Sequence, residues 1–130
     1  RGRSVVISGD SNVTGETLKI VAGADLLLHD ALSLPTTTAL SNALAAAGQS
    51  RQSKIVNDVE DYHASAQSLV ELGEKSDVAM VAFYHLVPVP SNALLADIFL
   101  RGAPDNFLLA EDLMWFEFPI DSNEIIINHP

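Results

Sequence analysis

Cysteine is absent from these 130 residues, so disulfide frameworks and thiolate metal sites are excluded. Basic side chains are scarce: 7 Lys and Arg stand against 17 Asp and Glu, a formal net charge of −10. They are Arg1, Arg3, Lys19, Arg51, Lys54, Lys75 and Arg101, and only Arg51 and Lys54 are near neighbours. A nucleic-acid surface needs clustered cations to displace the counterions of the phosphate backbone. The segment is therefore expected to have no direct contact with RNA or DNA, and a small, weakly charged substrate suits it better. No apolar run approaches the roughly 18 residues of a membrane helix, so no membrane partner is expected. No signal peptide is visible. Arg1-Gly2-Arg3 is not a natural start, so the compartment stays open; a soluble cytoplasmic protein is the working expectation, with an upstream leader not excluded.

What is present is hydrophobic residues at 48%, enough for a packed core. The length fits one domain or a piece of one. Residues 4–8 read as a buried strand, and Thr14 caps a helix over about 16–22 that stops at Gly23. Residues 25–29 form the next strand. A helix over about 36–47 follows Pro35 and ends at Gly48. Residues 48–58 are polar and weakly patterned and read as a loop. A helix over 61–74 and a strong strand over 77–84 follow, and Pro88 and Pro90 forbid the strand from continuing. A helix at about 91–101 and two late strands, 113–118 and 124–127, complete the pattern. Strands alternating with helices predict an α/β layered unit. The short connection between the late strands allows only antiparallel pairing, so a mixed β-sheet with flanking helices is expected.

Three apolar runs end in a side chain that handles metals or protons. Ser4-Val5-Val6-Ile7-Ser8 runs into Gly9-Asp10, Leu26-Leu27-Leu28 into His29-Asp30, and Val78-Ala79-Met80-Val81-Ala82-Phe83-Tyr84 into His85. In open α/β sheets ligands collect at the carboxyl ends of strands. Asp10 can ligate a metal, accept a phosphoryl group, or cap its own turn. A haloacid-dehalogenase-type acceptor wants a second Asp where Asn12 stands. A receiver domain wants Lys where His85 stands. His85 offers the commonest metal-ligating group or a structural imidazole, and the rigid segment through Pro88 suits a pocket wall. His63, in the first helical turn, reads either as a neutral imidazole able to pass a proton or as a surface residue. Neighbours on a strand face opposite ways, so His29 and Asp30 should not share a site unless the strand has ended; Asp30 is the better candidate, and His29 is either structural or a pocket residue behind it. His129 is expected to be solvated. Asp10 and His85 supply only two ligands, fewer than a catalytic zinc site takes. The segment therefore completes a metal site rather than building one alone.

Ile7-Ser8-Gly9-Asp10-Ser11, Ala24-Asp25-Leu26-Leu27-Leu28-His29-Asp30-Ala31, Tyr62-His63-Ala64-Ser65-Ala66 and Phe83-Tyr84-His85-Leu86-Val87-Pro88 resemble, in order and spacing, four segments of metallo-β-lactamase-fold hydrolases, in particular the ribonuclease Z and arylsulfatase-like branch. Together they cover about residues 4–90. The resemblance implies that residues 1–130 are the C-terminal half of an αβ/βα sandwich whose N-terminal half, with its His-x-His-x-Asp-His loop, is a separate partner or part of a longer chain. It implies two metal ions, Zn²⁺, shared between the halves, with Asp10 bridging them and His85 ligating one. A metal-activated water then attacks an ester substrate (phosphodiester, sulfate ester or lactone), and Asp30 and His63 form a proton relay. Asp30 stands where the family has Glu, one methylene shorter, and Ser11 replaces Thr. The segment alone is then expected to be inactive and, with half a sandwich uncovered, prone to form homo-oligomers. The competing expectation is a non-catalytic α/β module that binds a partner or itself through its apolar surface.

Overall fold

The computed structural model describes residues 2–130. Val5-Val6-Ile7, all β-branched, form β1 (Val5–Ile7). Thr14 opens α1 (Gly15–Val21): its hydroxyl accepts the Thr17 N–H while the Thr17 hydroxyl accepts the Thr14 N–H, so two donors at the helix start are satisfied reciprocally. Next come β2 (Leu26–Leu32), α2 (Leu34–Ala46) with Pro35 in its first turn, and α3 (Ser50–Asp58). A 3₁₀ turn (Val59–Asp61) leads towards α4 (Ala66–Ser76), whose first turn is capped by the Ser65 hydroxyl. β3 (Met80–Val87), α5 (Ala93–Phe99) with Asn92 as its cap, β4 (Phe107–Leu109), β5 (Trp115–Glu117) and β6 (Ile126–Asn128) complete the order.

β1, β2, β3 and β4 lie side by side in that order, all parallel. Each parallel step needs a crossover, and helices supply it. One face of the sheet carries Val6, Leu27, Val81, Phe83 and Phe107 into a core closed by Val21 of α1, Leu69 and Leu72 of α4 and Phe99 of α5. Phe83 and Phe107 meet edge to face, with centroids 5.8 Å apart. α4 approaches this pair through Gly73, where an added Cβ would lie 2.5 Å from Phe107 Cζ. On the opposite face of the edge strand, Val5 and Ile7 remain exposed, at 46% and 65%.

The antiparallel pair expected near the C-terminus is present as β5 and β6, in a ribbon of its own rather than in the parallel sheet. Arg3 fastens that ribbon's connection to the start of the sheet. Its Nη1 donates to the carbonyls of Ser122 (2.7 Å) and Glu124 (3.1 Å), its Nε meets Asp25 (2.8 Å), and its guanidinium covers the Phe118 ring. Residues 48–58 are not a loop, because α3 occupies most of them. Its contact with α2 is made by small polar groups, Ser41 Oγ to Ser53 Oγ at 2.9 Å, and no apolar periodicity announces it. The helix expected over 61–74 begins only at Ala66, where the Ser65 cap sets its start. β3 runs on to Val87, and β4, three residues long, was not anticipated. Among the described residues, no helix is long and apolar enough to cross a membrane.

Candidate metal centre

Asp10, Asp30, His63 and His85 gather at the carboxyl ends of β1, β2 and β3. After β1 the chain turns through Gly9, whose φ of +63° suits a residue without Cβ, and so presents Asp10 at the rim. Residues 63–65 run along the end of β2: Leu32 N–H donates to the Ala64 carbonyl at 2.8 Å, and Leu32 bridges to Ser65. That short parallel pairing carries His63 over Asp30. The link between the Asp10 loop and the 3₁₀ turn is the Asn12 amide, which donates to the Asp61 carbonyl at 2.9 Å.

The geometry has two tiers. In the outer tier His85 Nδ1–H donates to Asp10 Oδ1 at 2.7 Å, and both side chains are about half exposed. In the inner tier His63 Nδ1–H donates to Asp30 Oδ2 at 2.7 Å, with Asp30 fully buried and His63 nearly so. The rings of His63 and His85 meet edge on, centroids 5.3 Å apart. A buried carboxylate is tolerated only when its lone pairs are used. Besides His63, Asp30 Oδ1 receives the Ser11 N–H at 3.2 Å and lies 2.9 Å from His29 Nδ1, while the Asp30 N–H donates to Ser8 Oγ.

His85 reaches the rim because of an irregularity in the ladder. Asp30 pairs with Tyr84 and the next residue, Ala31, with Leu86, so His85 is an extra residue without a partner. Along an unbroken strand it would follow Val81 and Phe83 onto the helix-covered face. The bulge, with His85 at φ +43°, turns the imidazole outward instead.

His63 does not occupy the first helical turn: it lies two residues before the Ser65 cap, buried against Asp30, and is not a surface residue. Asp30 and His29 do touch, contrary to the expectation from strand alternation. The register shift falls at Asp30, where the pleat is broken, and the carboxylate turns back towards the neighbouring ring. His29 is fully buried, and its Nε2 has no hydrogen-bond partner. Ser11 enters the site through its backbone N–H rather than its hydroxyl. Pro88 follows a cis peptide bond past the end of β3 and is half-buried. Nothing in the sequence marks three further contributors: Ser8, whose hydroxyl meets the Asp30 N–H, Asn12, which ties the loop to the 3₁₀ turn, and Tyr62, whose ring lies 5.3 Å from that of His63. His129, at the surface, lies 3.8 Å from Glu111.

One ligand atom each from Asp10, His63 and His85 lies within 4.8 Å of the others. One carboxylate and two imidazoles are donors suited to zinc and neighbouring divalent ions. These residues therefore fit a metal. The His63–Asp30 bond is equally the support that metal-ligating imidazoles have, a carboxylate fixing the tautomer from behind.

No family model matches the chain. It is 26% identical over 127 residues to ribonuclease Z of Archaeoglobus fulgidus, covering 95% of this chain and 35% of that one. The chain thus spans about a third of the length of the curated relative it matches. Among solved structures, it superposes on the metallo-β-lactamase-fold protein YhfI of Bacillus subtilis with a TM-score of 0.53 and 14% identity, covering 82% of this chain and 37% of that chain. A diphosphatase of the PhnP family gives 0.53 and 20%, over 86% of this chain and 34% of that one. The parallel sheet flanked by helices, with acid and imidazole side chains at its strand ends, is accordingly a part of the metallo-β-lactamase fold.

Proposed function

We propose that this chain supplies part of the catalytic machinery of a metal-dependent hydrolase acting on ester bonds. The observation that carries the reading is the convergence of Asp10, His63 and His85, brought from positions 75 residues apart, above a buried Asp30. Similarity to a ribonuclease and to the fold of a diphosphatase supports phosphate esters as the substrate class; sulfate esters and lactones are the neighbouring options. Asp10 and His85 would hold zinc ions together with ligands from the rest of the protein. Bound there, zinc supplies Lewis acidity and a nucleophile at neutral pH.

The chain's own residues do the rest. Asp10 and His85, half exposed, present their donor atoms to solvent and to an incoming substrate. Asp30, buried and accepting the His63 Nδ1 proton, supports the imidazolium form of that ring, whose Nε2–H can be given to the leaving oxygen to leave the neutral imidazole. The Ser11 N–H, the Ser8 hydroxyl and His29 keep the Asp30 carboxylate in place.

In the complete protein, Asp10→Ala should abolish turnover and lower the metal content measured by atomic emission. Full activity in that variant would refute the assignment. His63→Gln separates the two roles its ring can take. As proton donor, its loss keeps the metal and costs about 10²–10⁴-fold in turnover. A metal-depleted variant would instead make His63 the third ligand that its place beside Asp10 and His85 also allows.

A further inference from the structure

A cavity of about 560 Å³ lies beside the metal centre rather than in it. Its wall is mainly apolar, with Leu34, Pro35 and Ala39 of α2, Ala66 of α4, and Ile98 and Phe99 of α5, interspersed with polar side chains of α2 and α4. It adjoins a smaller cleft of about 270 Å³ lined by His63, with Leu32, Leu34 and Ser65 common to both walls. Its size is that of a small-molecule site. Arg101 also lines it. Arg3, Lys19, Lys54 and Lys75 each meet a carboxylate, whereas among the described residues Arg51 and Arg101 meet none, and of these two only Arg101 lines the cavity. In a chain with a net charge of −10, an unpaired guanidinium at the wall of an apolar cavity is a mark of anion recognition.

We propose that this cavity receives the apolar part of the substrate and that Arg101 pairs with an anionic group on that part. The substrate is then an amphiphilic anion: an aliphatic or aromatic body in the cavity, a carboxylate, sulfate or phosphate at Arg101, and the scissile ester in the cleft beside His63. The proposal rests on the hydrolase reading for its substrate, but the cavity and its guanidinium stand apart from the metal ligands, so the two can fail separately.

The test uses the complete protein with octanoate and 1-octanol as probes, followed by saturation-transfer NMR and calorimetry, with metal content measured on the same samples. Octanoate should bind saturably and about five-fold more tightly than octanol, the scale of a single charge-assisted contact at a partly exposed site. Arg101→Gln should bring that ratio to about one, as its only charged partner is lost. Ala39→Phe, on the helix surface facing the cavity, should remove binding of both probes. Asp10→Ala should leave probe binding unchanged while lowering metal content. Absence of saturable binding would overturn the proposal, as would an octanoate preference that survives Arg101→Gln or binding that survives Ala39→Phe. Binding by this chain but not by the complete protein would also overturn it, because another segment would then fill the cavity. A parent protein that takes up no metal, or an Asp10→Ala variant that keeps its full metal content, with intact probe binding would count against the hydrolase reading alone.

Discussion

At the scale of single residues, His85 and Asp30 hold the most consequence. A left-handed φ is strained for most side chains and worst for β-branched ones. His85→Val should therefore destabilise the metal-free protein by about 1–2 kcal/mol, whereas His85→Asn, a residue that tolerates this conformation, should keep the melting temperature close to the parent's. Equal losses in thermal unfolding would show that the conformation at 85 carries no strain. Asp30 is different, because the fold itself depends on it. Asp30→Ala leaves the Ser11 N–H and the His63 imidazole without their acceptor, while His29 keeps the Asp30 backbone carbonyl, and should cost about 3 kcal/mol or more in denaturant unfolding. Ser11→Ala should fall within about 0.5 kcal/mol of the parent, since only its backbone contacts the carboxylate. A large loss in Ser11→Ala would mean that its hydroxyl takes part after all.

At the scale of elements, α4 packs on the sheet where Gly73 meets the Phe107 ring. Gly73→Ala gains helix propensity but forces a Cβ into that ring, which is pinned by Phe83. Overpacking of this kind costs about 1–3 kcal/mol, more than the propensity gain. Unchanged stability would mean that β4 yields easily at its end. Elements also divide what the sequence could tell. The chemical rim of the sheet was legible because apolar runs give way at Gly9, His29 and His85, though the strands themselves run on, β2 to Leu32 and β3 to Val87. The bulge was not legible, because an extra residue in a parallel ladder leaves no mark in composition. It misled the reading of the neighbouring pair as well, since alternation kept His29 and Asp30 apart. α3 was missed because it packs on α2 through Ser41 and Ser53, and small hydroxyl side chains give no apolar stripe. β4 was missed because three residues are too few to establish a period.

At the scale of the whole molecule, the helix-free face of β1 leaves Val5 and Ile7 exposed, and Trp115 and Ile120 near the ribbon are exposed too. Exposed apolar groups of this kind favour association. This chain alone should self-associate in light scattering, and Ile7→Lys, at an exposed position of an edge strand, should reduce that. A monodisperse monomer at high concentration would reject the expectation. Arg3 joins the two ends of the chain, and its partner Asp25 titrates below the ordinary carboxylate range, chiefly because the Ser4 N–H donates to it, with Arg3 adding to the effect. The sign follows from linkage. A lowered value in the folded state contributes stability at pH values above the unfolded carboxylate's value, and that stability is lost as pH falls through the folded one. Asp25→Asn should therefore flatten the acid limb of the stability profile and leave its slope near neutrality unchanged. An acid limb identical to the parent's would remove Asp25 from the account.

The unpartnered position in β3 makes that strand's length a chemical variable. Excising Tyr84 would let the ladder close without interruption, and the imidazole would take the place opposite Asp30, on the face turned away from Phe83, stripping the rim of a donor while the backbone trace hardly changed. Gains or losses of chain between Leu34 and Asp58, by contrast, would lengthen or trim a helical hairpin and leave the donors where they are. Two variants of equal length could thus differ wholly in metal uptake, according to the strand in which a single residue was dropped.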